Sequence, residues 1–280
     1  MQSSYLPDSF DDKKGIVLIA GKFEYPVLLA TRIRSFGIPL KIIGFKGETS
    51  TDLLDSFPEN DRAVIRVGQL GKLLKLLRKF EFGYTLMAGQ ITPGRLFRGL
   101  FPDLKALSIL KNLDTKNAET IFGTICSEIE SLGIQPLDAR SFMDEDLATQ
   151  GMMQGSSLNV PEKTLEHGVQ ITKEIAKLDI GQGAVVRNGT VISVEGFEGT
   201  NEMIQRSGTL SKDDMLFVKC VKNIQDYRFD VPVFGEETLK YLDEANIRNI
   251  ALEANKVIML NKEQLLSTAK KMKMKIIGFS

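Results

Sequence analysis

The stretch Gly15-Ile-Val-Leu-Ile-Ala-Gly21 decides the fold class of this chain. It is a short, continuous apolar run that ends in glycine, which is typical of a strand buried on both faces of a parallel sheet. Similar runs follow at Pro39–Phe45, Ala63–Val67 and Tyr84–Ala88, and segments with helical apolar spacing separate them. Because strands that alternate with helices form right-handed βαβ units, the N-terminal half is predicted to be a Rossmann-like parallel-sheet α/β domain.

Glycine, amide and basic residues follow these strands at their predicted carboxyl ends, where parallel sheets bind ligands. The third strand runs into Gly68-Gln-Leu-Gly-Lys72 and the fourth into Gly89-Gln-Ile-Thr-Pro-Gly-Arg95. Glycines let backbone N–H groups approach a ligand, and a helix N-terminus favours an anion. The candidate binding residues are Gly21, Gly68, Gln69, Gly71, Lys72, Gly89, Gln90 and Arg95. The alternative is that the glycines only make tight turns.

The second half is predicted to be a separate α/β (α+β) domain. The stretch from Thr149 to Asn159 is polar, rich in Gly and Ser and without periodicity, which indicates a linker. The predicted division is therefore residues 1–148, a polar linker at 149–160, and residues 161–280 carrying catalytic acidic residues. A hairpin is predicted at 184–194, because Asn188-Gly189 lies between two apolar runs.

Two acidic segments in this half are candidate sites. After the hairpin, Glu195 and Glu198 lie close together among glycines, so they could converge on a metal or on substrate hydroxyls. Alternatively, Thr200 or Asn201 only caps a helix and the acidic residues favour its dipole.

The other segment is Lys219-Cys-Val-Lys-Asn-Ile-Gln-Asp-Tyr-Arg-Phe-Asp-Val-Pro232, which follows the apolar run Met215–Val218. If it is extended, Asp226, Arg228 and Asp230 share one face, and Tyr227, Phe229 and Val231 share the other. The charged face suits a phosphate, a divalent metal or both. The alternative is a solvated strand with a surface ion pair.

Composition excludes several classes of function. Lys and Arg number 36, as do Asp and Glu, and this zero net charge argues against a nucleic-acid binder. The presence of a single histidine, His167, argues against a Ser-His-Asp triad and against a histidine metal cage, so acid–base or metal chemistry falls to carboxylates. Two distant cysteines, a polar start and no apolar run of about 18 residues predict a cytoplasmic protein. The first turn lacks GxGxxG, which argues against a nicotinamide oxidoreductase.

Taken in order, the motifs resemble those of the LpxI-type UDP-2,3-diacylglucosamine pyrophosphatase family. The resemblance runs from residue 15 to the end of the chain. The segments that carry it are Ile19-Ala-Gly21, Gly68-Gln-Leu-Gly-Lys72, Ala88-Gly89 with Arg95, Pro102-Asp103, Asp179-Ile-Gly-Gln182, Glu195-Gly-Phe-Glu-Gly-Thr200, Gln225-Asp-Tyr-Arg-Phe-Asp230 with Pro232, and Gly235.

This resemblance implies two domains joined by a polar linker, with a lipid-linked UDP-sugar held between them. It implies hydrolysis of the diphosphate of UDP-2,3-diacylglucosamine to UMP and 2,3-diacylglucosamine 1-phosphate (lipid X), a step of lipid A biosynthesis. It further implies a divalent metal, Mg²⁺ or Mn²⁺, an essential acidic residue matched by Asp226, and transient contact with the cytoplasmic face of the inner membrane.

On this basis the catalytic candidates are Asp226, Asp230, Arg228 and Lys222, with Arg228 and Lys222 binding phosphate oxygens. The candidate metal ligands are Asp226, Asp230 and Glu195, and Glu198, Gly199, Thr200 and Gln225 complete the substrate-binding set. Acyl chains are expected to lie along apolar surface.

The chain departs from the family pattern in three places. Lys22 and Phe23 stand where small residues are usual, Asn117 and Ala118 replace part of a Gly-Asp-Asp element, and Asn223 replaces a proline. The second departure puts a site role for that helix start in doubt. The alternatives to the enzyme are a non-catalytic nucleotide-sugar or lipid-binding protein on the same fold, and a homodimer contact through the charged face.

Overall fold

The computed structural model describes residues 3–91, 102–113, 117–222 and 225–280. The chain divides into two compact units. The first consists of the chain up to Asp144 together with Asp226–Asp230, and the second consists of Glu145–Gln225 and Val231–Ser280. Within the described ranges, no helix combines the length and apolarity that crossing a bilayer requires.

The first unit contains a five-stranded parallel sheet in the order β3-β2-β1-β4-β5. Its central strand β1 is buried along its whole length, as the continuous apolar run predicts. The parallel α/β fold class is thereby confirmed. The strands are β1 (Ile16–Ala20), β2 (Leu40–Phe45), β3 (Arg62–Ile65), β4 (Tyr84–Ala88) and β5 (Gln135–Pro136).

Helices connect these strands, and α3 shows why they form. Four of its leucines (Leu70, Leu73, Leu74 and Leu77) and Phe80 recur at helical spacing and are buried, whereas its basic residues are exposed. Glu81, in the left-handed region with φ 56°, ends it. The helices described in this unit are α1 (Tyr25–Ser35), α2 (Thr51–Asp55), α3 (Leu70–Phe80), α4 (Leu104–Asn112) and α5 (Ala118–Glu130).

The second unit is built on a six-stranded mixed sheet in the order β6-β13-β11-β9-β7-β8. Strands β9, β11 and β13 are mutually parallel in the middle, and β6, β7 and β8 run antiparallel to their neighbours. The strands are β6 (Gly151–Gln154), β7 (Gly183–Arg187), β8 (Thr190–Val194), β9 (Leu216–Lys219), β11 (Asn249–Glu253) and β13 (Lys275–Phe279), and β10 (Val233–Phe234) pairs separately with β12 (Ile258–Met259).

The α-helices described in this unit are α6 (Glu162–Lys177), α7 (Thr200–Leu210), α8 (Glu236–Glu244) and α9 (Lys262–Lys271). The β7–β8 hairpin is confirmed. Its turn residues Asn188 and Gly189 have φ values of 46° and 78°, which is the conformation that an Asn-Gly hairpin turn requires.

The predicted linker at 149–160 is wrong for its first part, because Gly151–Gln154 forms β6 at the edge of the second sheet. All four residues of β6 are half-buried, so the strand has no buried face that alternates with an exposed one. Its sequence therefore lacks the alternation of apolar and polar residues that would predict a strand. A Cβ added to Gly278 on the neighbouring strand would lie 1.9 Å from the carbonyl oxygen of Thr149, which shows how closely this segment packs.

The extended conformation considered for the segment that carries Asp226, Arg228 and Asp230 is not adopted. The N–H groups of Phe229 and Asp230 both donate to the carbonyl oxygen of Asp226, at 3.3 and 3.0 Å, so this segment is a single helical turn. Its aromatic side chains pack on the first unit, with the Phe229 ring stacked on Phe122 at 5.6 Å between centroids. Asp226 and Asp230 therefore belong to the first unit and not to the C-terminal domain, where the sequence placed them.

Candidate active site

Asp226 and Arg228 form a forked ion pair within the turn Asp226–Asp230. The guanidinium of Arg228 donates from Nε to Asp226 Oδ1 at 2.9 Å and from Nη2 to Oδ2 at 2.6 Å. The backbone N–H of Arg228 adds a bond to Oδ1 at 3.1 Å. Arg228 Nη1 also donates to Glu130 Oε1 on α5 at 2.7 Å. The ion pair that the sequence left as the alternative is therefore formed.

This pairing fixes the charge state of Asp226. The hydrogen bond from the Arg228 side chain lowers the pKa of the Asp226 carboxyl group, and desolvation opposes it only in part. Asp226 is therefore ionised at neutral pH. An ionised, half-buried carboxylate can hold a cation or accept a hydrogen bond from water, but it is unsuited to act as a general acid.

Asp230 follows Asp226 by four residues on the same turn. Residues four apart on a helical turn lie on one side of it, so the two residues are neighbours. Oxygen ligands of this type suit Mg²⁺, which is commonly held by one or two carboxylates together with substrate phosphates. No group of three or more acidic, histidine or cysteine side chains positioned to hold a metal occurs in the described part of the chain.

A buried lysine–glutamate cluster (Glu195, Thr200 and Lys219) lies in the second unit. Lys219 ends β9 and is only 7% exposed. Its Nζ donates to Thr200 Oγ1 at 3.0 Å and lies 3.9 Å from Glu195 Oε2, and Thr200 Oγ1 donates to Glu195 Oε1 at 2.6 Å. Glu195 Oε2 is buried without a hydrogen-bond partner among the described residues. A Cβ on Gly183 would lie 2.8 Å from that oxygen, so glycine leaves room for the carboxylate.

An amide cluster (Asp179, Gln182, Lys222 and Gln225) lies beside it. Gln225 Oε1 accepts hydrogen bonds from the Lys222 N–H at 3.1 Å and from Gln182 Nε2 at 3.4 Å. The Lys222 ammonium forms an ion pair with Asp179. Two segments that are distant in sequence therefore meet in one place.

The two clusters are joined through the backbone at the carboxyl end of β9. Cys220 N–H donates to the carbonyl oxygen of Gln182 at 2.9 Å, and Glu195 N–H donates to that of Gly183 at 2.8 Å. Buried Glu253, at the end of β11, accepts from Val221 N–H at 2.9 Å and so anchors the segment that carries Lys219 and Lys222. Ligands of parallel strands bind at such ends.

Glu198 and Gly199 lie outside this constellation. Glu198 pairs with Arg206 of α7 at 2.6 Å, and this hydrogen bond is the main cause of its lowered pKa. Gly199, with φ 89°, is the N-cap residue of α7, a conformation that favours glycine. Both residues thus belong to the start of this helix, but its N-cap is Gly199 and not Thr200 or Asn201, so the alternative named the wrong capping residue.

In the first unit, Gly21 and Gly89 are small because two strand ends pack against each other. A Cβ on Gly21 would lie 2.6 Å from the Gln90 carbonyl oxygen, and one on Gly89 would lie 2.4 Å from that of Lys22. The Lys22 N–H donates to the Gln90 oxygen at 2.8 Å. Backbone packing therefore accounts for both glycines, and their role in binding stays a prediction.

The N-terminus of α3, where the sequence predicts an anion, is next to the carboxylate of Asp103. Asp103 Oδ2 accepts from Lys72 N–H at 3.3 Å, and its Oδ1 caps α4 through Ala106 N–H at 3.0 Å. Asp103 N–H also donates to the carbonyl oxygen of Gly68, and Gln69 Oε1 accepts from Arg66 N–H. A Cβ on Gly71 would lie 3.1 Å from Asp103 Oδ2. The chain's own carboxylate thus occupies this position.

An apolar cleft of about 100 Å³ opens at the same edge of the first sheet. It is bounded by the ends of β2 and β3 and by α3, α4 and α5, and Gln69 is the one polar side chain among the described residues that line it. The cleft has the apolar character of a small-molecule site. Its lining includes Phe45, Ile65, Leu73, Ile109 and Phe122.

Two of the family departures have a structural account. Asn117 is the N-cap of α5, where its Oδ1 accepts from Thr120 N–H at 2.9 Å. Phe23 is 60% exposed and has φ 71°, a region that bulky residues rarely adopt, which explains why a small residue is usual there. Lys22 lies 3.6 Å from the buried carboxylate of Glu48. Arg95 and Asn223 lie outside the described residues.

Sequence reasoning missed Lys219, Gln182, Asp179 and Glu130 as members of these constellations. Lys219 carried a usable signal, since a lysine that directly continues the apolar run Met215–Val218 is predicted to lie at a buried strand end. The other three are recognised only from the contacts that folding brings about.

Comparison with known proteins matches both halves of the chain to one family. The family model described as the LpxI N-terminal domain matches residues 15–146, and the one described as the LpxI C-terminal domain matches residues 149–277. The UDP-2,3-diacylglucosamine pyrophosphatase LpxI of Caulobacter vibrioides is 28% identical over 274 residues, which cover 93% of this chain and 96% of the relative. The chain belongs to the LpxI family.

Proposed function

We propose that this chain hydrolyses the diphosphate bond of UDP-2,3-diacylglucosamine, releasing UMP and 2,3-diacylglucosamine 1-phosphate. The observation that carries the proposal is the meeting of three family-like motifs at the end of β9. Their residues Gln182, Thr200 and Gln225 lie there beside Lys219 and Lys222. A diphosphate is strongly anionic, and its hydrolysis needs fixed positive charge that offsets the charge on the phosphates.

In this proposal the two lysines bind phosphate oxygens and Gln225 orients the segment that carries Lys222. A water oxygen forms a bond to one phosphorus, the bond from that phosphorus to the bridging oxygen breaks, and the departing phosphate keeps the electron pair. Asp226 accepts a hydrogen bond from the attacking water, since its low pKa keeps it ionised. The water proton passes to solvent.

Asp226 and Asp230 have the donor chemistry to hold Mg²⁺ or Mn²⁺ together with substrate phosphate oxygens. When bound, such an ion supplies charge that offsets the negative diphosphate. Glu195 is a weaker candidate for this ion, because its carboxylate already contacts Thr200 and Lys219.

The apolar cleft of the first unit supports a lipid substrate. Each methylene that leaves water contributes about 0.8 kcal/mol, so an acyl chain in the cleft outweighs several polar contacts. A substrate of this kind resides in a membrane, and we place the enzyme at the cytoplasmic face of the inner membrane.

The test measures UMP release from UDP-2,3-diacylglucosamine with Mg²⁺. We expect Asp226→Asn to lose turnover by about 100-fold or more, because it removes a charged group that acts on the reacting water. The matched control is Asp243→Asn, which removes an aspartate paired with Arg248 in the second unit and should leave turnover within about twofold. Removal of metal by EDTA should abolish turnover, and Mg²⁺ should restore it.

Three outcomes would contradict the proposal in different ways. Full turnover by Asp226→Asn would remove Asp226 from the mechanism. Turnover that EDTA leaves unchanged would remove the metal. Substrate binding by the wild type without UMP release would favour the non-catalytic nucleotide-sugar-binding alternative.

A further inference from the structure

Helices α3 and α4 of the first unit carry an exposed surface that is both basic and apolar. On α3, Lys72, Lys75, Arg78 and Lys79 are all exposed, and their spacing of three, three and one places them along one stripe. The helix has no acidic residue. Within the described part of the chain, Lys75, Arg78 and Lys79 form no ion pair, so their charges face solvent.

On α4, two leucines point outward where polar residues are usual. Leu104 is 86% exposed and Leu107 is 49% exposed, one turn apart. Ala106 and Ile109 on the opposite side of this helix are buried. Lys111 is exposed one turn after Leu107. This helix therefore has an apolar face toward the core and a second, shorter apolar stripe toward solvent.

The two surfaces adjoin at the first turns of the helices. The carboxylate of Asp103 accepts a hydrogen bond from the N–H of Lys72 on α3. Asp103 is also the N-cap residue of α4 and directly precedes Leu104. Exposed leucines beside a row of cations are the composition of a surface that lies on a membrane, where apolar side chains enter the acyl boundary and cations meet anionic headgroups. A protein partner would need an acidic surface that complements the basic stripe. The stripe itself has no shape that would select such a partner.

We infer that the α3–α4 surface, formed by Lys75, Arg78, Lys79, Leu104 and Leu107, docks on an anionic lipid bilayer. The opposite side of α4 lines the apolar cleft through Ala106, Ile109 and Leu110. One helix thus contacts the membrane on one side and the cleft on the other, which gives a short route for an acyl chain. That route rests on the proposed function, whereas the docking itself is measured without substrate.

The experiment is sedimentation of the purified full chain with vesicles of phosphatidylethanolamine and phosphatidylglycerol. We expect binding at low ionic strength, weaker binding as salt is raised, and little binding to phosphatidylcholine vesicles, because the cations need anionic headgroups. Lys75→Glu/Lys79→Glu should weaken binding about tenfold or more. Leu104→Ser/Leu107→Ser should weaken it even at low salt.

Matched controls are available in the second unit. Lys270→Glu/Lys271→Glu makes the same charge change at the last turn of α9, and Leu210→Ser replaces a leucine that is 62% exposed. Both should bind vesicles as the wild type does. All variants should keep the wild-type melting temperature within a few degrees and the wild-type UMP release on substrate dispersed in detergent.

Several results would overturn the inference. The first is that the wild type does not bind anionic vesicles, and the second is that both the α3 and the α4 variants bind them as the wild type does. The third is an equal loss of binding in the α9 control, which would show that only the net charge of the protein matters. Loss of detergent turnover by the α3 or α4 variants would also overturn it, by placing those residues in the substrate site. Failure of the proposed function would instead abolish wild-type UMP release and leave vesicle binding intact.

Discussion

At the scale of single residues, the pKa of Asp226 depends on the Arg228 guanidinium. The hydrogen bond from Arg228 lowers that pKa, so the pair stabilises the fold at pH values above the unfolded pKa of Asp226. This contribution is lost as the pH falls through the lower, folded pKa. Because the pair is partly exposed, its main consequence is the charge of Asp226 and not a large contribution to stability.

We expect Arg228→Gln to raise the pKa of Asp226 toward its ordinary range. The acid limb of the pH–rate profile should then move to higher pH, because Asp226 is protonated earlier as the solution is acidified. Initial rates of UMP release between pH 3.5 and 8, normalised to each variant's maximum, measure this shift about the ordinary pKa near 4. Glu130→Gln, which breaks only the second bond of Arg228, should leave the acid limb in place. An unmoved limb in Arg228→Gln would assign it to another group.

The burial of the charged groups of Lys219 and Glu195 costs free energy, and a functional role explains their presence better than a contribution to stability does. Burial of both charges is expensive, and an apolar pair of similar volume is often as stable or more so. Their ionic distance of 3.9 Å is long, and Glu195 Oε2 lacks a hydrogen bond among the described residues. The Lys219 ammonium donates one hydrogen bond, to Thr200, and its ionic contact is long, so it is suited to bind an anion that arrives from solution.

At the scale of elements, the Asp103 carboxylate links the starts of α3 and α4. We expect Asp103→Ala to lower the free energy of unfolding by about 1–2 kcal/mol, because it removes the N-cap of α4 and the acceptor for the Lys72 N–H. Asp103→Asn keeps a capping oxygen and should cost about 0.5 kcal/mol or less. Urea unfolding of both variants measures the difference. Equal losses in the two would show that the charge of Asp103 matters more than its capping bond.

The sequence was sufficient for those elements whose pattern is local. The continuous apolar runs predicted β1 to β4, and Asn188-Gly189 predicted the hairpin, because burial on both faces and a left-handed turn each leave a direct mark on residue type. Gly151–Gln154 left no such mark, since a half-buried edge strand alternates weakly. The alternation of charged and aromatic residues at Asp226–Val231 resembles that of a strand, but the segment is a turn. Tyr227 and Phe229 instead pack against a loop and a helix, through Arg140 and Phe122.

The candidate site was predictable to the same limited extent. The carboxylates, Lys222 and Gln225 were named from residue type and from the family resemblance. Their pairing was not, since the contacts of Gln182 with Gln225 and of Arg228 with Glu130 join residues 43 and 98 positions apart. Sequence spacing carries no information about such contacts unless both partners share one helix or strand.

At the scale of the whole molecule, the chain leaves the second unit at Gln225, contributes Asp226–Asp230 to the first, and returns at Val231. Besides the bond from Arg228 to Glu130, three contacts described by the structure hold this segment on the first unit. The Ala139 N–H donates to the Tyr227 carbonyl oxygen at 2.6 Å, the Arg140 guanidinium lies 3.5 Å from the centre of the Tyr227 ring, and the Phe229 ring stacks on Phe122. The candidate catalytic carboxylate is therefore positioned by the packing of the first unit.

We expect Phe229→Ala to destabilise the first unit selectively, by about 2 kcal/mol, because it removes a partly buried stacked ring. Hydrogen–deuterium exchange should show lost protection at the amides of Ala139, Phe229 and Asp230, whose bonds depend on this segment, with β9 and β11 of the second unit unchanged. Phe234→Ala, which removes the ring stacked on Phe217, should give the opposite pattern. If both variants instead weaken protection uniformly, the units unfold as one, and Asp226 is held by the stability of the whole chain rather than by the first unit.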